Sequence, residues 1–329
     1  MNKLQPVIAV DVGGTKTIVA AVLSDGKVIS RRFYLTQADE GATEVIKRLS
    51  SAINKSISQA KSMGKEPIGI GIGVAGILDT RRGIVTTSPN LPGWRNVPVR
   101  EIIAARSGLA TFLINDANAA TLGEYNFGAG RGFDNMLYIT VSTGIGGGII
   151  INGKLSSGAD GCAGEWGHMT LEPDGPQCHC GNFGCLEALA GGWAIAKEAV
   201  TRIEKGESSS IAGMVDGRID YITAEIVAKA ARKGDRLASE IVSRAANYLG
   251  IGLASLVNIF NPDLIVIGGG LSKMGNMLLK PAKRIIKERA FELPAKTVRI
   301  VRAHLGSNAG IVGAAAYVFG QRIGTGVIV

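Results

Sequence analysis

The pattern of apolar and polar positions predicts a strand, a turn and a second strand near the start of the chain. The apolar runs at residues 7–10 and 18–23 flank the polar hinge Asp11-Val-Gly-Gly-Thr-Lys16, and two such runs around a glycine turn are typical of a hairpin. The same design recurs at residues 137–151, around Ser142-Thr-Gly-Ile-Gly-Gly-Gly148. The pattern predicts two related halves, each opening with a hairpin.

Helical and strand patterns alternate between and after these hairpins. The apolar residues Val45, Ile46, Leu49, Ile53 and Ile57 recur at helical spacing and Gly64 follows them, which predicts an amphipathic helix that Gly64 closes. Strands are predicted at residues 68–74, 111–115, 264–267 and 298–301, and helices from near Asn118 and at 309–319. The alternation indicates an α/β fold, and the length of 329 residues suits one large or two medium domains.

Composition narrows the class of protein. With 46% hydrophobic and only 19% charged residues, the chain can bury a substantial core. The net charge is +9, but Lys and Arg are scattered singly or in short pairs such as Arg31-Arg32, so we expect no nucleic-acid partner. Neither a signal-peptide core nor an apolar run of roughly eighteen residues is present. We therefore expect a cytoplasmic protein with no membrane partner.

Both glycine turns are candidate phosphate sites. Backbone N–H groups in such a turn form a concave anion site, and two turns facing one cleft would hold a polyphosphate. Tight hairpins also favour Gly-Gly for purely structural reasons. Neither turn matches G-x-x-x-x-G-K-[ST], so the chain is not a P-loop NTPase.

Asp116 is the candidate general base. It follows a predicted strand in Ile114-Asn-Asp-Ala-Asn-Ala-Ala120, at the sheet edge where open α/β folds bind ligands. There it could orient a substrate hydroxyl and take its proton late, as phosphoryl transfer requires. The alternative is a helix cap, because Asp also favours that position.

The segment Cys178-His-Cys-Gly-Asn-Phe-Gly-Cys185 holds three of the four cysteines. Together with His168 it provides Cys178, Cys180 and Cys185, a Cys₃His set typical of a structural tetrahedral zinc site. Reduced thiols without a metal are the alternative. Glu165 and Glu187 bracket the set, so a metal-fixed loop would also fix two carboxylates suited to sugar hydroxyls, unless both are ordinary surface residues.

Taken together, these motifs resemble the ROK family of sugar kinases, and within it the glucokinases. The resemblance rests on Asp-Val-Gly-Gly-Thr-Lys at Asp11, Asn-Asp-Ala-Asn-Ala-Ala at Asn115, the run from Thr143 to His168, and the cysteine segment continuing to Glu187. It covers essentially the whole chain. It implies the two-domain actin-like, ribonuclease H-like ATPase fold of the hexokinase and ROK type. The implied domains are residues 1–116, joined by the C-terminal helix at about 309–329, and residues 117–308.

The resemblance also implies the ligands and their residues. ATP and Mg²⁺ are implied, beside the structural Zn²⁺ already expected from the Cys₃His set. A sugar is the expected small-molecule substrate, and the protein is expected to be a homo-oligomer, dimeric or tetrameric. The implied nucleotide-binding residues are Asp11, near the metal, Gly13, Gly14, Thr15, Lys16, Thr143, Gly144, Gly268, Gly269 and Gly270. Asp116 is implied as the catalytic base on the sugar 6-hydroxyl, and Asn90, Asn115, Asp116, Glu165, His168 and Glu187 as sugar-binding residues.

Glucose is the expected substrate, and N-acetylmannosamine or N-acetylglucosamine kinase is the alternative within the family. A sugar-responsive repressor is the alternative of a different class. ROK repressors carry a helix-turn-helix domain before the Asp-x-Gly-Gly-Thr motif, which here begins at Asp11. We therefore expect a kinase. Loss of the zinc is expected to weaken sugar binding and to change nucleotide binding at the hairpins much less.

Overall fold

The protein is described by a computed structural model that covers residues 4–323. Its strands are Val7–Val12 (β1), Lys16–Val22 (β2), Val28–Leu35 (β3), Ile70–Val74 (β4), Ile77–Asp79 (β5), Ile84–Thr87 (β6), Arg95–Val97 (β7), Thr111–Asn115 (β8), Met136–Val141 (β9), Ile145–Ile151 (β10), Lys154–Ser156 (β11), Leu264–Gly268 (β12) and Arg299–Arg302 (β13). Its α-helices are Gly41–Ser62 (α1), Val99–Ser107 (α2), Asp116–Phe127 (α3), Leu186–Ala190 (α4), Gly192–Glu204 (α5), Ala224–Arg232 (α6), Arg236–Phe260 (α7), Asn276–Arg289 (α8), Glu292–Thr297 (α9) and Ala309–Ile323 (α10).

Three sheets organise these strands. The first has the order β3-β2-β1-β4-β8, in which β1 pairs antiparallel with β2 and parallel with β4. The second has the order β11-β10-β9-β12-β13, and a small third sheet has the order β5-β6-β7. Both predicted hairpins are therefore present, as β1–β2 and β9–β10. In the first sheet β4 also runs parallel to β8. The carboxyl ends of β1, β4 and β8 therefore lie at the same edge of the sheet.

Helix α10 packs closely because small residues line its neighbours. A Cβ atom on Gly71 would lie 2.2 Å from the carbonyl oxygen of Ala314, and one on Gly313 would lie 1.5 Å from that of Ala119. Real Cβ atoms do not approach backbone atoms so closely, so these contacts require glycine. Helix α10 thereby joins α3 and the first sheet.

Contacts divide the chain into two compact units. One comprises residues 1–138, 148–164 and 303–329, and the other residues 139–147 and 165–302. Helix α3 groups with the first unit because it packs against α10. The domain boundary after residue 116 that the family resemblance implies stays a prediction, and residues 324–329 of the predicted C-terminal helix lie outside the described residues. Within residues 4–323, no helix is long and apolar enough to cross a membrane.

Several element boundaries differ from the sequence prediction. Helix α3 begins at Asp116 rather than near Asn118, because the Asn115 side chain caps it. Strand β4 begins at Ile70, two residues later than predicted. The edge strand β3 was not predicted because the polar residues 30–32 interrupt its apolar residues and its exposed positions mix charged with apolar side chains. The short strands β5, β6 and β7 lack a hydrophobic run of detectable length.

Candidate active site

The turn between β1 and β2 is a closed loop of hydrogen bonds. The N–H of Gly13 donates to the carbonyl oxygen of Lys16 at 3.0 Å. Thr36, the residue after β3, stabilises the turn, since its hydroxyl donates to the Gly13 carbonyl at 2.7 Å and its N–H donates to the Thr15 carbonyl at 2.9 Å. The fully buried Thr36 was missed by the sequence analysis, because nothing in its neighbourhood pairs it with residues 13–16. Its contacts hold the predicted phosphate turn in one shape.

Asn90 lies against this turn. A Cβ atom on Gly14 would lie 2.5 Å from the Asn90 carbonyl oxygen and 3.0 Å from the Asn90 Cβ. Glycine at position 14 therefore allows the loop after β6 to touch the turn. The structure thus brings together two residues that the sequence analysis assigned separately, one to nucleotide and one to sugar, and the Asn90 side chain is exposed.

Asp11 and Asp116 form a pair of carboxylates in the first unit. Burial, supported by the charge of Asp116 and opposed by Lys16, raises the pKa of Asp11 to about 6. Burial also raises the pKa of Asp116. The N–H of Ala117, which donates to Asp116 Oδ1 at 2.9 Å, lowers this pKa in part. A glycine lies beside each of the two aspartates: a Cβ atom on Gly310 would lie 2.8 Å from Asp11 Oδ2, and one on Gly73 would lie 3.8 Å from the Asp116 Cα. Such raised values cluster at functional sites.

Asn115 serves the fold directly. Its Oδ1 accepts from the N–H groups of Ala117 at 2.9 Å and Asn118 at 3.1 Å, and its Nδ2 donates to the Gly76 carbonyl at 3.4 Å. The helix-cap role considered for Asp116 therefore belongs mainly to Asn115. The Asp116 carboxylate itself accepts from the N–H of Ala117 with Oδ1 at 2.9 Å.

The second glycine turn, residues 142–145, lies in the other unit. The N–H of Ser142 donates to the Gly144 carbonyl at 2.9 Å. Two further carbonyls of the turn accept from the start of α5. The N–H of Gly192 donates to the Ser142 carbonyl at 2.9 Å, and the N–H of Trp193 donates to the Thr143 carbonyl at 3.0 Å. The turn is therefore fixed by α5, a helix that the sequence analysis did not connect with it.

The four predicted metal ligands come together. The side-chain donor atoms of His168, Cys178, Cys180 and Cys185 all lie within 4.8 Å of one another. The Cys178 Sγ is 3.7 Å from His168 Nδ1, and the Cys180 Sγ is 3.8 Å from the Cys185 Sγ. Ligands about 2.3 Å from a tetrahedral zinc ion are about 3.8 Å apart. Burial raises the pKa of Cys185 to about 12, so a cation would have to displace its proton.

The carboxylates beside the cluster have different surroundings. Glu165 Oε2 lies 4.0 Å from His168 Nε2, the ring nitrogen that does not face Cys178. Glu187 accepts from the N–H of Ile145 with Oε2 at 2.8 Å and from the indole Nε1 of Trp193 with Oε1 at 3.2 Å. Glu187 therefore touches the second glycine turn, and Glu165 lies beside the His168 nitrogen that does not face the cysteines.

The third glycine segment follows β12. Gly269 has φ +81°, and a Cβ atom on it would lie 2.3 Å from the Val141 carbonyl oxygen, so only glycine fits there. A Cβ atom on Gly270 would lie 3.6 Å from Glu225 Oε1 and 3.7 Å from Ser142 Oγ. Gly268, Gly269 and Gly270 therefore lie close to the end of β9, from which the second turn begins.

Comparison with known proteins identifies the class and then the family. The architecture is that of the actin-like sugar kinases: it superposes on a glucokinase from Streptomyces griseus in complex with glucose and AMPPNP with a TM-score of 0.82 and 36% identity, over 95% of this chain and 98% of that one. The sequence profile of the ROK family matches residues 7–321. The chain belongs to the ROK family.

Individual relatives include enzymes and regulators. The chain is 40% identical to a glucokinase from Thermotoga maritima, over 98% of this chain and all of that one. It is also 34% identical to a xylose repressor from Caldicellulosiruptor bescii, over 96% of this chain and 79% of the repressor. The predictions of family and fold are confirmed.

Proposed function

We propose that this protein is an ATP-dependent hexokinase that transfers the γ-phosphoryl group of ATP to the 6-hydroxyl of glucose. The observation that carries this proposal is the full-length, 40% identical match to a glucokinase. The similar fold of an enzyme in complex with glucose and AMPPNP supports both substrates. Asp116, at the end of β8, accepts the proton of the sugar hydroxyl as the oxygen attacks.

The two glycine turns and Asp11 suit the phosphates and Mg²⁺. Both turns bring backbone close to a ligand because Gly13, Gly14 and Gly144 carry no side chain. Asp11 fits a hard cation because oxygen ligands are those that Mg²⁺ prefers, and burial raises its pKa, so a cation would offset the cost of its ionisation. Mg²⁺ neutralises charge on the phosphates when bound.

The Cys₃His cluster suits a structural Zn²⁺. Its donor spacing, with 3.7 and 3.8 Å between neighbouring donors, matches a tetrahedral shell filled by protein ligands. His168 would bind the metal through Nδ1 and present Nε2, beside Glu165, to the sugar. Asn90, Glu165, His168 and Glu187 are proposed to hold the sugar, with Asn115 positioned by its helix cap.

A hexose panel tests the proposal. Purified protein is assayed with ATP and Mg²⁺ by coupled detection of ADP, over glucose, mannose, fructose, N-acetylmannosamine and N-acetylglucosamine. We expect the highest kcat/KM on glucose. Much faster turnover of an N-acetylated sugar would identify the alternative kinase, and absence of turnover on every sugar would reject kinase activity. The predicted oligomeric state is checked on the same sample by light scattering.

A further inference from the structure

One short segment after the cysteine cluster holds the second glycine turn, which we name the Thr143 turn (residues 142–145). Gly192 and Trp193 donate their N–H groups to the carbonyls of Ser142 and Thr143. Glu187 accepts from the N–H of Ile145 at 2.8 Å. The backbone of the Thr143 turn is therefore hydrogen-bonded at three places to residues that closely follow Cys185.

Trp193 connects this segment to the metal-binding loop. Its indole Nε1 donates to Glu187 Oε1 at 3.2 Å, and its ring stacks on His179 with centroids 4.1 Å apart and planes at 25°. His179 lies between the cluster residues Cys178 and Cys180. One side chain thus contacts both the loop and the carboxylate that holds the Thr143 turn.

The position of the Glu187 carboxylate fixes the position of the turn. A Cβ atom on Gly144 would lie 2.3 Å from Glu187 Oε2, so the backbone of the turn packs directly against this oxygen. With Oε1 held by the indole, the carboxylate cannot rotate away from the Ile145 N–H without losing a second hydrogen bond. A small displacement of the carboxylate would therefore displace the turn.

We propose that Trp193 is a positioning residue for the nucleotide, which fixes Glu187, and through it the Thr143 turn, to the metal-binding loop. The proposal rests on the proposed function, because it takes the Thr143 turn to bind phosphate. Its consequence differs from the sequence-based expectation: order in the metal-binding loop sets nucleotide affinity at this turn as well as sugar affinity.

Trp193→Phe tests this link, because it keeps an aromatic ring that can stack on His179 and removes the indole N–H together with part of the ring system. Calorimetry with AMPPNP and Mg²⁺, without sugar, measures the nucleotide Kd directly. We expect roughly tenfold weaker binding, the scale of one hydrogen bond to a charged group, with zinc content and melting temperature near wild type. His179→Ala, which removes the stacking partner, should weaken binding by a smaller factor. The matched control is Phe183→Ala, an exposed side chain of the same loop, with an unchanged Kd.

The outcomes separate this proposal from the function on which it rests. Wild-type protein that binds no AMPPNP would reject the proposed function. If wild type binds AMPPNP and Trp193→Phe binds it equally well, only the positioning role is rejected. Should Trp193→Phe fail to fold, an unchanged nucleotide Kd in folded His179→Ala rejects the role instead. A Trp193→Phe variant that loses zinc or melting temperature without a change in nucleotide Kd indicates a structural role and also rejects it.

Discussion

At Asp116 the surroundings of the carboxyl suit the role proposed for it, that of a base in phosphoryl transfer. Burial raises its pKa, while Asn115 caps α3 in its place. The carboxylate is thus held at the junction of β8 and α3 by one hydrogen bond from the Ala117 N–H, while the main cap of the helix is Asn115. Because the proton of the sugar hydroxyl leaves late, position matters more than basicity.

The first prediction concerns Asp116→Asn. We expect kcat to fall by about 10²- to 10⁴-fold, the usual contribution of a general base, while the glucose Kd from calorimetry changes little. Asp39→Asn, at an exposed position, should keep wild-type kcat. Wild-type turnover by the Asp116→Asn variant would show that the residue is not the base.

The second prediction concerns Asp11 and the pH dependence of stability. The pKa of Asp11 is raised from 3.8 to about 6, so the folded protein binds this proton more tightly than the unfolded chain. Ionisation therefore costs stability above pH 6, by up to about 3 kcal/mol, and this cost disappears as the pH falls through 6 towards 4. Without Mg²⁺ and nucleotide, Asp11→Asn should melt higher than wild type at pH 7.5.

The gain in melting temperature should shrink as the pH is lowered, because wild-type Asp11 becomes protonated while Asn is neutral throughout. Thermal melts of both proteins at pH 7.5, 6 and 4.5 measure it. A pH-independent difference between the two proteins would contradict the assignment. Kinase activity of Asp11→Asn should be lost, so the variant exchanges function for stability.

For single residues, the sequence predicts which polar residues belong to the site better than it predicts their hydrogen-bond partners. The reason is seen at Asn115, Glu187 and Thr36. The motifs identified Asn115 and Glu187 as polar site residues, but their nearest partners are backbone N–H groups that become neighbours only in the folded chain. Thr36 has no motif, and its bracing of the first turn depends on the pairing of β3 with β2.

At the scale of single elements, the cysteine loop has little apolar surface with which to order itself. Between Cys178 and Leu186 its one large apolar side chain, Phe183, is 53% exposed. A metal ion would offset the conformational entropy of such a loop. Its backbone is paired by turn and loop hydrogen bonds, such as the one from Cys178 N–H to the Asn182 carbonyl at 2.7 Å, and by the isolated bridges Thr170–Cys185 and Gln177–Phe183.

The third prediction is about one zinc per chain, held by this loop. Elemental analysis of purified protein measures it. Cys180→Ala should lower the zinc content, weaken glucose binding and lower the melting temperature by about 5 °C or more. The matched control is Cys162→Ala, an exposed cysteine outside the cluster, which should change none of the three. Active protein without zinc would contradict the prediction.

Glu124 links α3 to the segment that leads into α10. Its fully buried carboxylate accepts from the N–H groups of Ala129 at 2.9 Å, His304 at 3.0 Å and Leu305 at 2.7 Å. Two segments that are far apart in sequence, at Ala129 and at residues 304–305, thus supply three backbone N–H groups to one buried carboxylate. The sequence analysis missed it because an acidic residue in a helix is normally exposed.

The fourth prediction is that Glu124→Gln destabilises the protein. The amide of Gln would place an N–H group against backbone donors and leave a buried N–H without an acceptor, which costs about 1–3 kcal/mol. The melting temperature should fall by roughly 2 to 10 °C, as measured by calorimetry. Glu101→Gln, on the exposed side of α2, is the control. An unchanged melting temperature for Glu124→Gln would show that the carboxylate does not stabilise this junction.

Hydrophobic periodicity predicts the buried strands and helices of this fold, but it misses the edge strand β3 and the exact start of α3. Strands β1, β4 and β8 and the inner face of α1 are apolar because they are buried. Strand β3 lies at a sheet edge and exposes Phe33 and Leu35, so its pattern resembles a loop. The start of α3 depends on a side-chain cap, which hydrophobic spacing does not report.

For the whole molecule, the recurrence of two hairpins in the sequence predicts two related halves, while the actin-like fold was implied by the family resemblance. The β1–β2 and β9–β10 hairpins each occupy the second and third positions of a five-stranded sheet. Duplicated halves would show this correspondence. The assignment of α3 to the first compact unit was not predictable, since it depends on glycines at positions 123 and 313 that let α3 and α10 approach each other. Such contacts are long-range in sequence and carry no periodic signal.

The fifth prediction uses the charge of the whole chain to separate the kinase from the repressor class. A xylose repressor is 34% identical, and the net charge of +9 gives any duplex a weak attraction. We expect mobility-shift assays to show only weak, sequence-independent DNA binding that disappears by roughly 200 mM salt, because such binding depends on counterion release. Glucose should not alter it. DNA binding that persists at this salt on one sequence and not on another, and that glucose changes, would indicate a regulator instead.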